Sequence, residues 1–83
     1  MRLLLSREAT RSLRALPKQD AAALYAKLVA FAAEPFGVHP FAKSFGGGKG
    51  RVRQGDWRAL YRIDHERDEI VVSRIAHRRE TYR

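Results

Sequence analysis

The chain has 83 residues, with 17 Lys and Arg against nine Asp and Glu for a net charge of +8, three histidines and no cysteine. That length holds one domain, residues 1–83, with a thin core that removes roughly 60–65% of the unfolded chain's surface from water. The 45% hydrophobic content argues against disorder. Lack of cysteine excludes disulfides and thiolate metal sites, and His39, His65 and His77 lack metal-ligand spacing, so no metal or cofactor is expected. No apolar run is long enough for a signal peptide or a membrane span, so a cytoplasmic protein without membrane association is expected. The charge points to a polyanionic partner. From Arg51 onward all nine basic residues are arginine, whose planar fork grips phosphate where lysine offers only a point charge.

In chain order, "MRLLL" reads as a short strand and Ser6 as the N-cap of a helix whose first turn carries Glu8. Ala9, Leu13 and Leu16 form one apolar stripe on that helix, and Pro17 ends it. A second helix, roughly Lys18 to Glu34, carries Ala21, Leu24, Leu28 and Phe31 on one face. Its many alanines favour helix and allow close approach to the first, so the pair reads as an antiparallel hairpin. "PFGVHPFAKSFGGGKG" reads as a Pro/Gly-rich loop. Its glycine run lacks phosphate-loop spacing and is expected to be flexible.

Strands follow. "RVRQ" and "WRALYRI" flank a tight turn at Gly55-Asp56, and "DHERD" is a polar turn. "EIVVSRIA", apolar on both faces, suits a central strand. The expected fold class is α+β in the order β-α-α-β-β-β, a two-helix hairpin packed on an antiparallel sheet. Alternation places Arg51 and Arg53 on one face, with Arg58 arriving from across the turn. Trp57 falls in phase with Ala59, Tyr61 and Ile63, so core packing suits it better than base stacking. His39 and His65 fall in loops and are expected to be solvated. The closing "RIAHRRETYR" packs four arginines, a histidine and a tyrosine into ten residues.

"GRVRQGDWRALYRID" followed by "IVVSRIAHRRETYR" resembles the RelE/ParE superfamily of toxins from type II toxin–antitoxin systems. The opening strand and "ALPKQDAAALYAKL" fit the same pattern, so the resemblance covers nearly the whole chain. It implies a RelE-like, microbial RNase-type fold and a ribosome-dependent endoribonuclease that cuts messenger RNA in the decoding site. In that chemistry the ribose 2′-hydroxyl attacks the neighbouring phosphate without a metal, aided by a base, an acid and a cation cluster. By resemblance, Arg58 and Arg78 would stabilise the transition-state phosphate, and Arg53 would sit near the leaving oxygen or the phosphate. Arg51 would hold RNA, with further RNA contacts from Lys49, Arg62, Arg74, Arg79 and Arg83.

Tyr82 matches the family's terminal tyrosine, as a base or a base-stacking residue. An ordinary tyrosine pKa of about 10 is too high for a base at neutral pH, but surrounding arginines would lower it. His77 has a suitable ordinary pKa for acid–base work, but a structural or RNA-contacting role suits it better. Two departures stand out. Gly50 occupies a place where many relatives carry an aromatic or apolar residue and is expected to loosen the start of its strand. Some relatives also continue past Arg83 into a terminal helix, so Tyr82 is expected to order on RNA or a partner.

The resemblance further implies a cognate antitoxin, a toxin–antitoxin hetero-oligomer, and the ribosome and mRNA as targets. Two rivals remain: a ParE-like poison of DNA gyrase on the same fold, and a basic nucleic-acid-binding module without chemistry. Convergence of Arg53, Arg58, Arg78 and Tyr82 on one phosphate would favour cleavage, and scatter would favour gyrase binding.

Overall fold

The computed structural model describes residues 1–81. Strand β1 (Arg2–Leu5) leads into helices α1 (Arg7–Ala15) and α2 (Lys18–Ala33). Strands β2 (Ala42–Gly46), β3 (Lys49–Gln54), β4 (Trp57–Asp64) and β5 (Glu69–His77) follow, then a single turn of helix, α3 (Arg78–Thr81). Ser6 caps α1 as expected, its hydroxyl accepting from the Ala9 N–H at 3.0 Å. Among the described residues no helix is long and apolar enough to cross a membrane.

The five strands lie in the order β1-β5-β4-β3-β2. The meander β2 to β5 is antiparallel, but β1 runs parallel to β5, with Leu3 opposite Ile70 and Leu5 opposite Val72. The sheet is therefore mixed rather than wholly antiparallel. The helical excursion returns the chain to the far edge, and four strands of meander then bring β5 beside β1 in the same sense. β5 is an interior strand, held between β1 and β4, as its two apolar faces required.

Strand β2 corrects the reading of residues 42–46 as loop. It contains a single inward-facing apolar residue, Ala42, so it shows no alternation. It forms because the outer edge of β3 has backbone groups to satisfy. The glycine run is likewise a defined hairpin turn: Gly46, Gly47 and Gly48 have φ of 87°, 63° and 76°. A two-residue hairpin turn with positive φ at both central positions matches the right-handed twist of its strands.

The core lies on one face of the sheet. Ala9, Leu24, Leu28, Val52, Ala59, Ile70 and Val72 are fully buried there, with Phe31 packed on Tyr61 at 4.7 Å between ring centroids. Both apolar stripes read from the sequence face this layer. The helices make their main contacts with the sheet, α1 on β5 and α2 on β3 and β1. Ala22, Ala26 and Ala30 are exposed, so the alanines supply helix propensity rather than helix–helix approach. His39 is also not simply solvated: its ring packs against Phe31 and Phe41, and its Nε2 lies 2.6 Å from the Glu34 carbonyl. His65 is exposed but stacks on Phe36. Trp57 packs against the core, as its phase required.

Burial raises the pKa of the Tyr61 phenol above its ordinary value of 10.0. The folded state thus holds this proton where the unfolded chain has begun to release it. Tyr61 contributes stability that is complete below pH 10 and is lost as pH rises through the folded-state pKa. Alkaline unfolding followed by circular dichroism should be shallower above pH 10 in Tyr61→Phe than in wild type.

Candidate nucleic-acid interface

Neither α1 nor α2 covers the other face of the sheet, and only the single turn α3 reaches over its end. Strand register sets its residues in rows. Lys43, Arg51, Leu60 and Arg74 align across β2 to β5, with Arg53, Arg58 and Ala76 in the next row and Lys49 opposite Arg62. The β3–β4 hairpin turns at Gly55, whose φ of 57° suits the first central position of a tight reverse turn. That turn fixes Arg53 opposite Arg58, so strand pairing alone assembles an arginine face.

Arg58 is the unusual member, at 6% exposed. One Nη donates to the Gly55 carbonyl at 2.9 Å, with the Trp57 carbonyl at 3.4 Å, while its Nε is buried without a hydrogen-bond partner. A buried donor left unsatisfied costs about 1–3 kcal/mol, and more on a charged group. No carboxylate offsets the charge of Arg58 among the described residues, and Arg51 and Arg74 bring further positive charge to the same cavity. An anion entering this cavity would offset that charge.

Lys43, Phe45, Arg51, Arg58, Leu60, Arg74 and Glu80 line that cavity, which measures about 320 Å³. Glu80 reaches in from α3 and pairs with Arg74 at 3.3 Å. Lys43, Phe45, Leu60 and Glu80 were not singled out from the sequence. The first two lie on the strand hidden in the Pro/Gly-rich region. Glu80 had one available signal, as the sole carboxylate in the terminal arginine cluster. Both partners of the Glu80–Arg74 pair are about half exposed, so the pair is weak. Glu80→Gln should free Arg74 and tighten binding of a short RNA by about two- to five-fold, measured by fluorescence anisotropy at low salt.

Of the remaining candidates, Arg53, Arg62 and Lys49 share the face of this cavity, whereas His77, Arg78 and Arg79 do not line it. Arg53 is exposed on the same face, and its backbone carbonyl accepts from Lys27 Nζ at 3.2 Å. Arg62 and Lys49 continue the face toward the glycine turn. Arg78 lies at the end of the sheet. Its N–H donates to the Asp56 carbonyl at 2.6 Å, and its guanidinium lies 3.6 Å from the Asp56 carboxylate. His77 stands opposite Trp57 with its ring edge-on to the indole. Its Nε2 is 3.9 Å from Asp56, and its Nδ1 accepts from the Arg79 N–H at 3.3 Å. Asp56, His77, Arg78 and Arg79 thus line a separate depression. Arg51, Arg58 and Arg74 meet in one cavity, with Arg53 beside them, whereas His77, Arg78 and Arg79 gather on the Asp56 turn. Tyr82 and Arg83 lie outside the described residues.

Topology and an open cationic face together define a RelE/ParE-type domain. Residues 3–82 match the family described as the ParE toxin of the type II toxin–antitoxin system, parDE, and the chain belongs to this family. Solved structures agree in fold. A chain of the RelBE2 toxin–antitoxin complex from Mycobacterium tuberculosis is 29% identical, with 92% of this chain and 95% of that chain covered at a TM-score of 0.73. The isolated RelE toxin of Escherichia coli is 19% identical, with coverage of 92% and 82% and a TM-score of 0.78. A chain of the archaeal RelE–RelB complex from Pyrococcus horikoshii is 21% identical, with 93% of each chain covered and a TM-score of 0.75. Comparison with curated protein sequences finds no match.

Proposed function

We propose that this toxin inhibits translation by cutting messenger RNA on the ribosome, and that the open face of the sheet is its RNA-cleaving surface. The observation that carries this reading is Arg58, a buried guanidinium whose Nε lacks an acceptor and which opens into a cavity shared with Arg51 and Arg74. A gripping surface alone would place its arginines in water, where each phosphate contact is cheap to make and break. A desolvated guanidinium acts much more strongly on charge that develops beside it.

In the reaction, the 2′-oxygen forms a bond to phosphorus and the bond from phosphorus to the 5′-oxygen breaks. The products are a 2′,3′-cyclic phosphate and a 5′-hydroxyl. One proton leaves the 2′-hydroxyl for a base, and one is delivered to the 5′-oxygen by an acid. Arg58 would bear on the phosphorane oxygens, where charge is greatest. Arg51 and Arg74 would hold the flanking strand, and Arg53 would serve the leaving-oxygen side. Tyr82 is the candidate proton carrier, since His77 pairs with Trp57 in phase with the core residues Ala59 and Ile75 and so projects away from the Arg58 face. Arg78 would act on the phosphate if it exchanged Asp56 for RNA. No metal is required in this scheme, because side chains supply base, acid and countercharge.

A cognate antitoxin follows from the family, since its relatives are described in complex with theirs. The +8 charge would speed encounter with an acidic partner. The family match to a ParE toxin, and the place of Arg78 on Asp56 rather than in the Arg58 cavity, support a second reading, that of a gyrase poison. Primer extension on messages bound to programmed ribosomes separates the two. Wild type should give cuts in the decoding site, Arg58→Ala should give none, and Tyr82→Phe should report whether the phenol carries a proton. Intact message with wild-type toxin, together with inhibition of gyrase supercoiling, would overturn the RNase reading.

A further inference from the structure

One wall of the Arg58 cavity is not a cation. Phe45 lies on β2 with 57% of its surface exposed, yet it borders the same cavity as Arg51, Arg58 and Arg74. Among the described residues no other ring packs against it. Its position has a local cause. Ser44 pairs with Gly50, and strict alternation would next set Phe45 opposite Lys49. Instead the register shifts and Gly46 takes that place, leaving Phe45 as the extra residue of a bulge. Gly46 supplies the positive φ, and the Ser44 hydroxyl accepts from the Gly46 N–H at 3.2 Å. Bulges re-aim side chains and are frequent beside active sites. Here the bulge sets an apolar ring at the lip of a cavity otherwise lined by guanidinium, ammonium, one leucine and the Glu80 carboxylate that pairs with Arg74.

We propose that Phe45 is a base-stacking platform, so that the cavity takes an unpaired nucleotide, its phosphate toward Arg58 and its base on the Phe45 ring. A phosphate site alone has no use for an exposed phenyl ring. A ring beside cations fits a ligand with both a π-face and a negative charge, and single-stranded RNA presents both at every residue. Duplex RNA does not fit, because its bases are already stacked and paired. Stacking tolerates any base, so Phe45 adds affinity and position without strong sequence choice. The inference rests on the RNase reading above for its substrate.

The test uses a 2′-O-methylated RNA hexamer, which cannot be cut by 2′-hydroxyl attack, carrying one 2-aminopurine moved stepwise along it. Wild-type toxin should quench the fluorophore at one position. Phe45→Ala should abolish that quench and weaken binding about 5- to 150-fold, whereas Phe45→Trp should preserve both. Replacing the quenched base with an abasic residue should make wild type and Phe45→Ala bind alike. Equal binding by wild type and Phe45→Ala on the intact hexamer, or an equal loss with and without the base, would overturn the proposal. So would a wild-type protein that quenches at no position, or a Phe45→Ala variant impaired only in antitoxin binding. Cleavage on programmed ribosomes keeps the two readings apart. If Phe45→Ala cuts with unchanged KM while Arg58→Ala does not cut, stacking fails and the RNase stands. Quenching by a wild type that never cuts leaves the stacking site and removes the RNase.

Discussion

Arg58→Met is expected to lower cleavage on programmed ribosomes about 10²–10³-fold, the usual cost of removing one preorganised donor from developing charge. The same substitution should leave the melting temperature unchanged or raise it. That second half separates a catalytic cation from a structural one. Arg58 is buried among other cations and leaves Nε unsatisfied, so in the free protein it is a liability. Methionine has a similar reach and removes both the charge and the orphan donor, at the loss of the hydrogen bond to Gly55. Arg58→Lys should also fail in cleavage, because a single ammonium cannot hold the Gly55 carbonyl and present a second donor to phosphate. Thermal unfolding by circular dichroism and initial cleavage rates check both halves. A melting point that fell in step with activity would make Arg58 a structural residue and remove it from the chemistry.

Gly50→Ala should produce the largest loss of stability of any single methyl addition in the sheet. Gly50 pairs directly with Tyr61, and a Cβ there would sit 2.3 Å from the Tyr61 hydroxyl and 2.4 Å from the Lys43 carbonyl. Both lie well inside contact distance, and the second belongs to backbone on the neighbouring strand. Tyr61 cannot swing clear because its ring packs on Phe31 within the core. Overpacking of this sort costs about 1–3 kcal/mol, and in a domain of this size each kcal/mol lowers the melting temperature by roughly 4–8 °C. A drop of roughly 4–24 °C is expected on that basis. The double variant Gly50→Ala with Tyr61→Ala should lose less than the two single losses combined, because the ring is then absent. Strict additivity would show that the Lys43 carbonyl alone sets the cost.

Gly50 also shows where a sequence can mislead. Read along one strand, it looked like a weak start to β3. Its purpose appears only across the strand pair, where the missing side chain admits the Tyr61 phenol. The arginine face was legible because alternation and a two-residue turn are local rules, and they suffice to align Arg53 with Arg58. Both helices were legible from their 3.6-residue period, and the interior place of β5 from apolar residues on both of its faces. β2 was not, since one inward residue leaves no period and the Pro and Gly around it signal loop. With β2 went Lys43 and Phe45, and hence one wall of the cavity. The parallel pairing of β1 depends on how the whole meander returns, which no short window of sequence contains.

The turn at Gly55-Asp56 has two attachments on opposite sides. The Gly55 carbonyl steadies the Arg58 guanidinium from within, while Asp56 fastens the first residue of α3 through its carbonyl and its carboxylate. Only one peptide bond separates these anchor points. The same two-residue turn thus holds both the terminal helix and the support of the cavity's most buried charge. A molecule that peels α3 away from Asp56 need not enter the cavity to detune it.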